Sequence, residues 1–365
     1  MKSYQVVKSQ ILKKLQDGGF KPGDKVDPFR KIAKAAHASI FTVSRAVNEL
    51  VAEGRLAGST SGRYYYVNES TRTEEAARNS TLGVLLGCTS GAQLKLALSP
   101  DLREMLIPIQ DGAMRQERAV LFLGSRVHVE GQSAYLPVEN VVARHLNGLI
   151  VMMIYEPAYL LSLTTAQKAL VVLDMDTSDL GLDSASFDNL GSAAQMVRHL
   201  VQSGARRIVF LKAPFADARS SSSRAWNYDP SVRERFDGWR AGMIAAGLPA
   251  GDDLICELSA RTPEAVREGI KRLMDAGTQP DAILTEFPKI TVETLLCLGV
   301  QSPKCRVAGW MAAHTSKEAR QGIDLLAICD FRELGRVGAE ILDARMRDAN
   351  ILLQRRLVPT PLSFS

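Results

Sequence analysis

The stretch "ASIFTVSRAVNELVAEGRL", residues 38–56, sets Val43, Ala46, Val47 and Leu50 at helical spacing, with Ser39, Thr42, Ser44, Arg45 and Asn48 on the opposite face. One side of such a helix is built for burial. The other carries hydroxyls, an amide and a guanidinium in place of the Glu and Lys of an ordinary solvated face. Upstream, Tyr4, Val7, Ile11 and Leu15 predict a helix over 3–17, ended by the Gly/Pro turn "GGFKPGD". Phe29, Ile32, Ala33 and Ala36 predict a second, short helix over 29–36, and Ser39 is the expected N-cap of the third. "AGSTSGRYYYV" (57–67) reads as a Gly/Ser/Thr turn between two strand-like ends. Three helices, the second and third joined by a tight turn, followed by a hairpin, predict a winged helix-turn-helix over residues 1–68.

Residues 69–80, "ESTRTEEAARNS", have no periodic apolar face and read as a linker. From residue 81 the texture changes. Apolar runs of strand length ("TLGVLLG", "AVLFLG", "GLIVMMI", "ALVVLDMD") alternate with amphipathic stretches ("MLIPIQDGAMRQE", "VENVVARHL", "LGSAAQMVRHLVQSGA"). The alternation continues through "RIVFLKA", "RFDGWRAGMIAAG", "EAVREGIKRLMDAG", "AILTEF", "TVETLLCLG" and "RVAGWM". Strands continuous in Val, Ile and Leu belong to parallel sheets covered by helices on both faces. Residues 81–365 supply two such doubly wound lobes, which bind ligands beyond the carboxyl ends of their strands. The fold class is α/β: a winged helix-turn-helix followed by a two-lobed, doubly wound parallel domain.

Composition sharpens this division. A chain of 365 residues, 46% hydrophobic, exceeds what one core usually holds. The net charge of +5 is unevenly spread: residues 1–68 hold twelve Lys and Arg against five Asp and Glu, a balance of +7 that leaves −2 for the rest. A basic module on a near-neutral body points to a polyanion partner for the module alone. Cys88, Cys256, Cys297, Cys305 and Cys329 are odd in number and never spaced C-x-x-C, so neither a disulfide framework nor a zinc site is expected. The amino terminus lacks the apolar core of a signal peptide, and the longest apolar run, "LIVMMIY" (149–155), is too short to span a bilayer. A cytoplasmic protein without membrane contact or cofactor is expected. "GCTSG" (87–91) lacks the Lys of a phosphate-binding loop. Trp226 and Tyr228, beside the serine run 220–223, read as part of a surface loop, and the five histidines share no spacing.

The stretch "KPGDKVDPFRKIAKAAHASIFTVSRAVNELVAEGRL" resembles the DNA-binding domain of the GntR family of bacterial regulators, over the first 67 residues. The resemblance implies a winged helix-turn-helix in which the helix opening at Ser39 enters the major groove. Ser39, Ile40 and Thr42 would meet base edges or methyls, Ser44 and Arg45 bases or phosphates, and Arg63, next to the wing-tip Gly62, the minor groove or backbone. Arg30 falls at the family's contacting Arg, and Lys31 and Lys34 join it on phosphates. Pro28 and Phe29 replace the usual Ser-Glu and Ile40 stands where an Arg is common, so base preference does not carry across.

Residues 81–365 resemble the effector-binding and dimerisation region of the LacI family, with its periplasmic binding-protein fold. The carriers are "TLGVLLG", "NGLIVM", "VVLDMD", "SFDNLGSAAQMVRHLVQSGARRIVFL", "SVRERFDGWRAGMIAAGL", "RVAGW" and "DFRELGRVGAEIL". The resemblance implies that Asp174, the acid of "VVLD", and Arg235, of R-x-x-G, hydrogen-bond ligand hydroxyls, with Arg233 close by. A carboxylate that accepts and a guanidinium fork that donates suit a sugar or polyol. In the second lobe the pattern departs: Phe287, Pro288 and Met311 stand at positions usually polar, and Glu286 is the substitute candidate. Trp310 is either a stacking platform for a sugar ring or core.

Together these features imply a dimeric transcriptional regulator, a repressor by family tendency, that binds a palindromic double-stranded DNA operator and answers to a small, sugar-like effector. The alternative keeps the DNA reader and gives the body only dimerisation or protein binding. An enzyme is not expected, since no nucleophile–base pair or metal set is legible.

Overall fold

The computed structural model describes residues 3–16, 24–52, 55–58, 65–67, 81–87, 99–129, 132–138, 146–165, 169–212, 230–260, 262–300 and 304–364. The chain separates into two compact units, Met1–Ser80 and Thr81–Ser365. The expected linker (69–80), wing tip (Gly62, Arg63), Cys88 and Trp226–Tyr228 loop lie outside the described residues.

The first unit contains α1 (Ser3–Gln16), α2 (Phe29–Ala35), α3 (Ile40–Ala52) and the antiparallel pair β1 (Leu56–Gly58) and β2 (Tyr65–Val67). Its core is the apolar stripe read from the sequence: Val7 and Ile11 of α1, Ala33 of α2, and Val43, Ala46, Val47 and Leu50 of α3 are buried together with Val26 and Leu56. Phe29 stacks on Tyr65, centroids 5.5 Å apart, tying α2 to the hairpin. The turn between α2 and α3 places His37 at φ 47°, a left-handed conformation that reverses the chain in few residues.

The second unit has two six-stranded sheets. The first is built from β3 (Thr81–Leu86), β4 (Ala119–Gly124), β7 (Gly148–Met152), β8 (Leu170–Leu173), β9 (Asp183–Phe187) and β15 (Arg355–Val358), parallel throughout, in the order β15-β9-β8-β7-β3-β4. Between β4 and β7 a hairpin, β5 (Arg126–Val129) with β6 (Gln132–Tyr135), interrupts the alternation, an element that the apolar periodicity passes over. The second sheet has the order β11-β10-β12-β13-β14-β16: β10 (Ile208–Lys212), β11 (Ile255–Glu257), β12 (Ala282–Thr285), β13 (Arg306–Ala312) and β14 (Leu325–Cys329) are parallel, and β16 (Leu362–Phe364) runs antiparallel at the edge. Central strands are buried along their whole length, as helices on both faces require.

The covering helices are α4 (Pro100–Arg115), α5 (Pro157–Thr164), α6 (Asn189–Gln202), α7 (Pro230–Ala245), α8 (Pro263–Asp275), α9 (Pro288–Cys297), the short α10 (Lys317–Arg320) and α11 (Phe331–Arg347). The chain crosses between sheets three times: from β9 into α6, from β14 into α11, and from β15 into β16. These crossings brace one another. Phe187 meets Phe331 edge-on at 5.0 Å, the Asp188 N–H donates to Val358 O, and Thr360 Oγ1 donates to Asp188 O. Three adjacent segments thus join the two lobes.

Candidate functional site

Arg235 reaches its place because α7 lies unusually close to α6. A Cβ on Gly238 would fall 2.2 Å from Leu190 O and 2.8 Å from Ala193 Cβ, so only glycine lets the helices meet this closely. One turn earlier on α7, Arg235 therefore sits against the start of α6, where Asp188 caps the helix by accepting from the Gly191 N–H at 2.9 Å. Its Nε donates to Asn189 Oδ1 at 3.0 Å, and its Nη1 to Glu286 Oε1 at 2.9 Å. The guanidinium lies over the Trp310 ring, 4.8 Å from the centroid. Trp310 is buried on β13 and its indole N–H donates to Ser192 Oγ at 3.0 Å. Asn189 completes the network by donating from Nδ2 to Glu234 Oε2.

From the other sheet comes Asp174, the residue after β8, with φ 63°; Met153, in the same position after β7, has φ 60°. Neither is glycine, and two left-handed non-glycine residues on adjacent strand ends mark a rim where the backbone is held in a costly shape. Asp174 and Arg235 each act on the buried thiol of Cys329, at the end of β14. Burial pushes the Cys329 thiol up to about 11, Arg235 acts the other way, and Asp174 and Asp101 add to the rise. The carboxyl ends of strands from both sheets thus meet at the crossings, where open α/β sheets bind ligands.

Of the residues expected here, Arg235 contacts both Glu286 and Trp310, and Asp174 stands at the carboxyl end of β8 in the other sheet. Arg233 is on the exposed side of α7, its Nε donating to Asp237 Oδ2 at 2.7 Å. Phe287 precedes α9 and, like Met311, packs partly buried against the core, with Pro288 opening the helix. Apolar periodicity does not single out Asn189 and Ser192; the capping pattern "DNLG" is the signal that marks them, since it fixes which residues begin α6. A further pair spans the lobes: His314 Nε2, beyond β13, lies 3.2 Å from Asp101 Oδ1 in the first turn of α4. Burial raises the Asp101 carboxyl above the ordinary range, against the pull of His314.

In the first unit, Ser39 caps α3 by accepting from the Thr42 N–H at 3.1 Å, and the two hydroxyls lie 2.8 Å apart. Arg30, Lys31, Lys34, Ile40 and Arg45 are exposed, Ser44 half-buried. Arg45 lies over the Tyr4 ring at 4.4 Å, and Lys31 pairs with Asp27 at 2.7 Å. Gly62 and Arg63 are outside the described residues.

Among the described residues no group of three or more His, Cys, Asp or Glu is placed to hold a metal, and no helix is long and apolar enough to cross a membrane. No protein-family model matches the sequence, and no curated protein is significantly similar to it. Solved structures are similar in fold. The transcriptional regulator CelR in complex with cellobiose superposes with a TM-score of 0.60 at 17% identity, covering 93% of this chain and 98% of that one. The lac repressor dimer bound to operator and the anti-inducer ONPF gives 0.62 at 16%, covering 81% and 97%. CcpA of Lactococcus lactis gives 0.60 at 16%, covering 78% and 97%. The two-sheet architecture is that of LacI-type regulators, the periplasmic-binding-protein-like fold.

Proposed function

We propose that the protein is a DNA-binding transcriptional regulator, a dimeric repressor controlled by a small sugar-like ligand held between the lobes of residues 81–365. One observation carries the reading: Arg235, a donor fork held over Trp310 and against Glu286 at the carboxyl ends of β12 and β13, lies in the second lobe of a fold shared with regulators, and the acceptor Asp174 stands at the carboxyl end of β8 in the first lobe. One of those regulators is bound to cellobiose and another to operator and anti-inducer. A ligand bridging such groups favours one lobe arrangement, and a coupling of about 1–3 kcal/mol suffices for a switch. The N-terminal unit fits a GntR-type winged helix-turn-helix: three helices and an antiparallel pair, with the polar face of α3 exposed and a balance of +7 over residues 1–68. Two such readers on a two-fold axis would recognise a palindrome. With no membrane-spanning helix among the described residues and DNA as partner, the site of action is the cytoplasm.

A second reading has its own support. Arg235 is already held by Glu286 and Asn189, and Phe287 and Met311 add apolar bulk, so the body would serve dimerisation or protein binding alone. A thermal-shift screen against monosaccharides, disaccharides, sugar acids and polyols separates the two. A ligand at a hundred times its Kd stabilises by about 2.7 kcal/mol. A hit that also alters binding to a DNA library supports the switch. Absence of any hit, with DNA binding intact, leaves the second reading.

A further inference from the structure

The first turn of α3 divides its side chains in an unusual way. The Ser39 and Thr42 hydroxyls pair with each other and Ser39 Oγ accepts the Thr42 N–H, closing the helix end. Val43 goes into the core. Between them in the sequence, Ile40 and Phe41 stand 51% and 79% exposed. No Arg, the commonest reader of guanine, occurs in residues 39–42. Adjacent exposed apolar side chains of this size call for a partner.

The surroundings identify its chemistry. Arg30, Lys31 and Lys34 on α2, and Arg45 further along α3, are exposed, so the helix that carries the apolar pair and the helix before it also carry exposed cations. The complementary surface is a polyanion that carries apolar knobs. The major groove of DNA is one: phosphates line it, and the thymine 5-methyl is the apolar group presented on a base edge there. An anionic membrane fits less well. An interfacial helix needs a continuous apolar face, and the continuous face of α3 (Val43, Ala46, Val47, Leu50) is already buried in the unit's own core.

Resting on the DNA-binding reading above, we infer that Ile40 and Phe41 read thymine 5-methyl groups, so that each operator half-site carries thymines under the first turn of α3. Specificity at these positions comes from apolar contact, and the capping hydroxyls hold the turn that presents it.

The test uses the full-length protein and a random-sequence duplex library. Selected duplexes are remade with single thymines replaced by uracil, which keeps pairing and removes only the methyl. Wild type is expected to lose about fourfold in affinity at each read thymine, the equivalent of one buried methylene. Phe41→Ala should lose the response to uracil at one of those positions, while Phe41→Met, which restores apolar bulk, regains part of it. Both changes are at an exposed side chain, and unchanged thermal melting would verify the fold. Selected duplexes bound equally with uracil would overturn the inference and leave DNA binding standing. No enrichment from the library would remove DNA binding itself, and capture of the protein by phosphatidylglycerol vesicles would then assign the patch to a membrane.

Discussion

Arg235 and Glu286 form an ion pair whose side chains are only 13% and 5% exposed, with the guanidinium lying over the Trp310 ring. The pair makes Arg235 two things at once, a candidate ligand donor and a structural counter-charge. Arg235→Ala should therefore destabilise the protein by about 3 kcal/mol, because it takes the guanidinium from a buried carboxylate. Arg235→Met combined with Glu286→Leu should restore stability to within about 1 kcal/mol, since two apolar groups replace the pair. Chemical denaturation of the single and double variants checks this. An Arg235→Ala protein as stable as wild type would mean that the pair carries no weight. For ligand screening the double variant is the proper control: a hit lost there is lost through recognition, not through unfolding.

The close approach at Gly238 predicts a contrast between two glycines that helix propensity alone ranks equally. Gly238→Ala would drive a methyl onto Leu190 O and should cost about 1–3 kcal/mol, with Arg235 displaced from Asn189. Gly112→Ala, within α4, meets nothing within 4 Å and should instead stabilise by up to about 1 kcal/mol. Melting both variants side by side is decisive, and two changes of the same sign would refute the packing argument.

These two sites show what a sequence gives up and what it withholds. Val43, Ala46, Val47 and Leu50 declare their burial by spacing, and the runs around Leu149 and Val171 declare doubly covered strands, because periodicity is a local property. Asp174 and Arg235 are named as candidates by the motifs around them. The partnership of Arg235 with Asn189, Glu286 and Trp310 is not legible in them: it depends on how closely α7 approaches α6, and hence on Gly238, some fifty residues beyond Leu190. The β5–β6 hairpin escaped for another reason. Its strands are four residues each and rich in polar positions, too short to stand out from a loop beside the long apolar runs.

Arg345, near the end of α11, makes a two-pronged contact with Asp183 at the start of β9: Nε to Oδ2 at 2.7 Å and Nη2 to Oδ1 at 2.9 Å. The same guanidinium donates to the carbonyls of Ala349, Ile351 and Leu352, and Asp183 accepts the Gln354 N–H. One residue thus closes the helix, shapes the following turn and aims β15 at the sheet. Arg345→Ala should cost about 3–5 kcal/mol by stranding a carboxylate that is 2% exposed. Arg345→Lys should recover little, because a point charge cannot reproduce the fork. A lysine variant as stable as wild type would reduce the contact to simple charge pairing.

Asp27 supplies the pH-dependent prediction. The hydrogen bond from Lys31 holds its carboxyl below the ordinary value of 3.8, burial opposes this, and Lys14, at 3.7 Å, adds to the lowering. A carboxyl lowered in the folded state contributes stability that is complete above its unfolded value and is lost as pH falls through the folded one. Lys31 is 70% exposed, so the contribution is screened to about 0.5 kcal/mol. Acid titration of Asp27→Asn should accordingly show a shallower loss of stability below about pH 4 than wild type. The larger consequence concerns DNA. Asp27 and a phosphate would compete for Lys31, so Asp27→Asn should tighten binding at low salt and steepen its salt dependence by about one phosphate contact. An unchanged slope, with tighter binding absent, would show that Lys31 serves α2 alone and leave the phosphates to Arg30 and Lys34.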